Sequence, residues 1–204
     1  MDISRPEPPP PLSERSAEII GLVREAFVEK GFDGASMQDL ARAAGMSVGN
    51  FYRYFPSKAA IVEAMVAYDM AEIERKFADI ACADDLVGMV RAKLAEQVRN
   101  GRKRNGGLWA EINAAAHRKT EIAGICCGME DMVADNMIAV FARLTGTSVE
   151  SARQRFGTHA RFIVLLVKAA ATRTDPSPDP DLDALILQSV YRVLDDIIAA
   201  AEKS

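Results

Sequence analysis

From Ser13 to the carboxyl end the apolar residues of this chain recur every three to four positions, and no stretch alternates with the period of two that marks a half-buried strand. Such a chain has no sheet to build and must bury its apolar faces helix against helix, so the predicted fold is all-α. Ser13, Glu14, Ser16 and Glu18 supply a cap and first-turn acids to a helix over 13–30. Its buried face is Ile19, Val23, Ala26 and Phe27, and Gly31 ends it. Ser36 opens a second helix that Gly45 stops, a third starts near Ser47, and Pro56 forces a break before Ser57 caps a long fourth helix reaching about Asp79. The same punctuation predicts helices over 84–99, 106–117, 120–144, 149–173 and 181–202, about nine in total. Residues 1–12, with four consecutive prolines, read as a disordered tail that cannot start a helix or a ladder.

Composition excludes several classes. At 204 residues, 49% hydrophobic and 26% charged, the chain is neither collagen-like nor wholly disordered, and its length suits one or two domains. The longest uninterrupted apolar runs, Met137 to Ala142 and Phe162 to Val167, fall far short of the ~20 residues that cross a bilayer. The opening MDISRPEPPPPL lacks the continuous apolar region of a secretory signal, so a cytoplasmic protein is expected. Three cysteines suit a reducing compartment, and the adjacent pair Cys126 and Cys127 reads as buried structural thiols. His117 and His159 lack metal-ligand spacing, and no metal site is expected. Arg102, Lys103 and Arg104 read as a solvated loop, and Asp175, Asp179, Asp181 and Asp183 as turn and capping acids.

Function is concentrated in residues 36–58, SMQDLARAAGMSVGNFYRYFPSK. Ala41 is small where two short helices must approach, Gly45 can take positive φ at the turn, and Phe51 is a bulky anchor for the second helix. Together these form a helix-turn-helix pattern. From Leu40 to Val62 there are three cations, Arg42, Arg53 and Lys58, and no acid, although the first 60 residues as a whole hold seven basic and eight acidic side chains. Positive charge is therefore local, as suits a helix that meets phosphate on one face. Phe51 and Phe55 are read as core, while Tyr52 and Tyr54 are expected to offer hydroxyls to DNA phosphates.

The stretch Ala44 to Lys58 with the preceding SMQDLARA, entered through Lys30, Gly31 and Phe32, closely resembles the DNA-binding domain of tetracycline-repressor-type (TetR family) regulators. The resemblance covers about residues 13–65. It implies a homodimer with two helix-turn-helix modules reading double-stranded DNA, and a divergent carboxy-terminal domain that binds a small effector. It further implies repression relieved by that effector, with the third helix in the major groove and the fourth passing on the ligand signal. Carried over by position, Ser36, Ser47, Val48, Gly49, Asn50, Tyr52, Arg53, Tyr54 and Lys58 are the DNA contacts. Tyr54 stands where many members have histidine and Val48 where some have a polar or basic residue, so base preference is not carried over at those points.

The implied organisation is a tail (1–12), a DNA-binding domain (13–58), a connecting helix (59–79) and an effector-binding and dimerisation domain (80–204). Pocket lining is sought in Trp109, Ile112, Asn113, Met129, Met132 and Phe162, each of which also reads as ordinary core. The wide apolar stripe of the last helix and the all-round apolar run Phe162 to Val167 suit either a core pair within one chain or half of a four-helix bundle completed by a second copy. The resemblance favours the second. Nothing in the chain has the residue spacing of a catalytic site. The alternatives to an effector-released repressor are an architectural DNA binder without effector and, further off, a helical ligand carrier or enzyme.

Overall fold

A computed structural model describes residues 14–101, 106–173, 177 and 179–201, and all regular structure among them is helical. The proline-rich tail, the Arg102–Lys103–Arg104 run, Asp175 and the Ser13 cap lie outside the described residues. The chain divides into two compact units between Glu72 and Ile73.

The first unit holds α1 (Glu14–Lys30), α2 (Met37–Ala43), α3 (Val48–Tyr54) and the start of α4 (Lys58–Ala81). Ile19, Ile20, Val23, Ala26 and Phe27 form the buried face of α1, and Phe32, just past its end, sets its ring 5.1 Å from that of Phe27. Leu40, Ala41 and Ala44 from α2, Phe51 and Phe55 from the α3 region, and Ile61, Val62 and Met65 from α4 are buried as well. Two polar ties join α1 to α4: the Arg24 guanidinium donates to Asp69 at 2.7 Å and to the Met65 carbonyl at 3.2 Å.

The second unit contains the rest of α4, then α5 (Leu86–Gly101), α6 (Gly107–Ala116), α7 (Thr120–Thr145), α8 (Val149–Thr172) and α9 (Pro180–Ala201). Its main core joins Met137, Ile138 and Phe141 of α7 to Phe156 and Ile163 of α8 and to Val190, Leu194 and Ile197 of α9. Alanines at 152 and 160 let α8 lie close against its neighbours. Ser148 caps α8 by accepting from the Ser151 amide at 3.2 Å. Cys126 is buried, and burial pushes its thiol pKa up, the opposite of a reactive thiolate; Cys82 and Cys127 are exposed. No helix among the described residues is long and apolar enough to cross a membrane.

Two expectations need correction. Cys127, read with Cys126 as a buried thiol, is exposed, because successive residues of a helix face different sides and only Cys126 turns inward. Helix α5 starts at Leu86 rather than 84, because Asp85 is its cap: the Asp85 carboxylate accepts from the Gly88 amide at 2.8 Å and its carbonyl from Met89 at 3.0 Å. Within the single chain the apolar run Phe162 to Val167 is unevenly enclosed. Ile163 is fully enclosed, but within the single chain Phe162 is 42% and Leu165 61% exposed. On α9 the buried row is Leu187, Val190, Leu194 and Ile197, which leaves Leu185 at 59% exposure.

Candidate nucleic-acid interface

The site begins with a tight turn. After α2, Gly45 takes φ +64°, a conformation that side chains with a Cβ rarely adopt, and the Met46 amide donates back to the Ala41 carbonyl at 2.9 Å. The chain thereby reverses within three residues and starts α3 at the Ser47 cap, whose hydroxyl accepts from the Asn50 amide at 3.3 Å. One face of α3 is held down by Phe51, with Phe55 beyond its end, their rings 5.3 Å apart. The opposite face carries Ser47, Val48, Gly49, Asn50, Tyr52, Arg53 and Tyr54, all exposed. Tyr52 and Tyr54 are about half open, at 45% and 52%. A helix so short is stable only through its buried anchors, and those anchors fix which side chains look out.

Gly49 is informative because the fold does not ask for it. It has no positive φ, and a Cβ built there meets nothing within 4 Å. Glycine inside a helix costs roughly 0.5–1 kcal/mol relative to alanine. With no gain inside the unit, the open space suits close approach of another molecule.

Charge around the helix is one-sided. Arg42 and Arg53 are exposed, and among the described residues neither is held in an ion pair. The nearest acid in sequence, Asp39, is already committed: its carboxylate takes Lys30 at 2.5 Å, the Ser36 amide at 2.9 Å and the Ser36 hydroxyl, while the Ser36 hydroxyl accepts from the Asp39 amide. This capping box starts α2. The Lys30 ammonium, then the Ser36 hydroxyl and amide, hold the Asp39 carboxyl well below the usual carboxylate range. A depressed folded-state value stabilises the fold above the ordinary carboxylate pKa and is lost as pH falls through and below that range. The difference in thermal midpoint between wild type and Asp39→Asn is therefore expected to be constant near neutral pH and to close on acidification, as a pH series of melts will read.

Ser36 and Lys58, unlike Arg42 and Arg53, are engaged in hydrogen bonds within the unit. Ser36 is exposed but engaged in the capping box. Lys58, at the first position of α4, donates to the Phe32 and Asp33 carbonyls at 2.7 and 3.0 Å. Gln38, not singled out by the sequence reading, is exposed on α2 one turn before Arg42.

The six pocket candidates differ in their exposure. Ile112 is fully buried; Trp109 and Asn113 are half-buried, tied by a 2.7 Å bond from the Asn113 amide to the Trp109 carbonyl. Met129 is half-buried, whereas Met132 and Phe162 are exposed. A cleft of about 320 Å³ lies elsewhere in the second unit. Its apolar walls include Phe77, Leu86 and Val140, and Glu74, Asn136 and Arg143 are its polar groups.

Residues 19–65 match the family model described as "Bacterial regulatory proteins, tetR family". Over 80 residues the chain is 31% identical to the HTH-type transcriptional repressor AcnR of Corynebacterium jeikeium, covering 39% of this chain and 40% of that one. The matched stretch spans less than half the length of each of the first curated relatives. Likeness of fold extends further. Salmonella enterica GusR superposes with a TM-score of 0.64 at 22% identity, over 90% of this chain and 98% of that one. AibR, solved in complex with isovaleryl coenzyme A and operator DNA, superposes with a TM-score of 0.60 at 17% identity, over 86% of this chain and 95% of that one. Residues 19–65 are thus similar to the tetR family of bacterial regulatory proteins, and the fold of the chain is similar to that of GusR and AibR.

Proposed function

We propose that this protein is a dimeric, sequence-specific DNA-binding transcriptional regulator of the cytoplasm, a repressor released from its operator by a small-molecule effector. The observation that carries the reading is the outward face of α3: seven of the eight positions from Ser47 to Tyr54, all but the buried Phe51, are exposed, with no acid in the sequence from Leu40 to Val62. Residues 13–58 are the DNA-binding domain, 59–79 the connecting helix and 80–204 the effector and dimerisation domain. Val48, Gly49 and Asn50 lead into the major groove, Tyr52 and Tyr54 donate to phosphates, and Arg53 reaches a phosphate or a guanine edge. Gln38 and Arg42 on α2 lie beside the backbone, as the first helix of such a motif does.

Two copies must hold their recognition helices about 34–36 Å apart to meet successive major grooves on one side of a palindrome. The cleft in the second unit falls within the size range of small-molecule sites, roughly 300–1,000 Å³, and is the first place to seek the effector. Residues Glu74 to Ala81 of α4 contribute to its lining, and the same helix starts at Lys58 in the DNA-binding unit. An occupant that favours one α4 position by about 1–3 kcal/mol changes DNA affinity 5- to 150-fold.

Genomic footprinting with the purified full chain tests the reading, with protected palindromes expected. On such a site Arg53→Ala should lose about 1–3 kcal/mol of affinity. A loss confined to one base position identifies a base contact, and an equal loss on all sequences with a flatter salt dependence identifies a phosphate contact. Absence of any protected site overturns the regulator reading.

A further inference from the structure

Lys58 is badly placed for the helix it begins. It is the first residue of α4, where the aligned peptide dipoles present partial positive charge, and the first turn contains no acid to offset it. Its ammonium lies instead against the connection between α1 and α2. It donates to the Phe32 carbonyl at 2.7 Å and the Asp33 carbonyl at 3.0 Å and rests 5.5 Å from the centroid of the Phe32 ring. Phe32 is itself buried and packed on Phe27 of α1. An ammonium has three protons to give, and two are directed into this connection.

On the other side of the same connection, Lys30 at the end of α1 holds Asp39, the acid of the α2 capping box. Residues 31–36 are thus clasped twice, from α2 by Lys30 and Asp39 and from α4 by Lys58. Helix α3 is strung between α2 and α4, so these two clasps fix both of its flanks to α1.

We propose that Lys58 is a positioning residue of the DNA-reading unit: it locks the start of α4 to the Phe32–Asp33 backbone and so sets the placement of α3, and it influences DNA affinity through that geometry rather than by neutralising a phosphate. This inference rests on the DNA-binding reading above, and its test separates the two.

Lys58→Met removes both the charge and the donors, whereas Lys58→Gln removes the charge but keeps an amide that can give two protons to the same carbonyls. In the full-length protein, Lys58→Met is expected to weaken operator binding about tenfold, the worth of roughly one hydrogen bond to a charged group. Lys58→Gln should recover part of that loss, and the slope of log affinity against log salt should match wild type in both variants. In the free protein, exchange of the Ala35 amide, which donates to Gly31 at 3.0 Å, should accelerate several-fold in Lys58→Met and less in Lys58→Gln.

A salt slope reduced by about 0.9 in both variants, with equal affinity losses and unchanged Ala35 exchange, overturns the proposal and makes Lys58 a phosphate contact. If wild type shows no salt-dependent operator binding, the DNA reading fails, and the exchange measurement still decides whether the clasp exists. If Lys58→Met does not fold, the glutamine variant alone carries both readouts.

Discussion

Phe51→Ala is expected to destabilise the amino-terminal unit by about 3–5 kcal/mol, the cost of emptying a buried phenylalanine site. Phe51 is completely enclosed and meets the Phe55 ring at 5.3 Å, and α3 is too short to persist without it. A unit of at most 72 residues has a small core, and whole domains are stable by only about 5–15 kcal/mol, so the loss removes much of what the unit has. Urea unfolding followed by circular dichroism should show an early transition for this unit, with operator binding gone at 37 °C. Tyr52→Ala, next in sequence but half exposed, is the control and should stay within about 0.5 kcal/mol of wild type. A loss below about 1 kcal/mol for Phe51→Ala would mean that α3 is not anchored by this ring.

The second large effect concerns self-association. Within a single chain Phe162 and Leu165, one turn apart on α8, and Leu185 on α9 present bulky apolar side chains to solvent, although both helices otherwise bury theirs in the unit's own core. In a proposed two-fold dimer these residues face their equivalents, and the pair of helices from each copy completes a four-helix bundle. The double variant Leu165→Arg, Leu185→Arg places two charges on that face without touching Ile163, Val190 or Leu194. It is expected to run as a folded monomer by light scattering. Operator affinity should drop at least about 100-fold, from the range of specific binding toward that of non-specific contact, because one half-site no longer holds the other in register. A wild-type monomer would overturn the dimer reading, and a double variant that stays dimeric would move the interface elsewhere.

Much of this fold was legible in the sequence because its signals are local. Ser36, Ser47 and Ser148 cap where hydroxyls precede apolar periodicity, and Gly45 marks the turn; each acts within four residues of itself. The start of α5 was misplaced by two residues because Asp84 and Asp85 are both competent caps, and only packing chooses between them. What could not be read was the direction in which apolar side chains point once helices pack. Phe162 to Val167 is apolar at every position, so periodicity cannot say that Ile163 faces in and Leu165 out. Leu187 on the last helix is buried with Val98 and Ala170, distant partners that its own periodicity does not name.

The candidate site divides in the same way. The α3 residues follow from the spacing of Phe51 and Phe55, which is internal to the motif. The engagement of Lys58 depends on backbone carbonyls 25 and 26 residues earlier in the chain, and no local pattern reports such a contact. The cleft in the second unit unites residues from α4, α5 and α7 that are more than 60 positions apart at the extremes, so its lining could not be assembled from the sequence.

The vacant space above Gly49 has an evolutionary corollary. Because the surrounding unit neither fills nor requires that space, a single codon change there can add a methyl, hydroxyl or amide to the reading surface while the scaffold stays intact. If the protein acts as proposed, drift in operator preference can proceed at position 49 without the compensating core changes that an enclosed residue would demand.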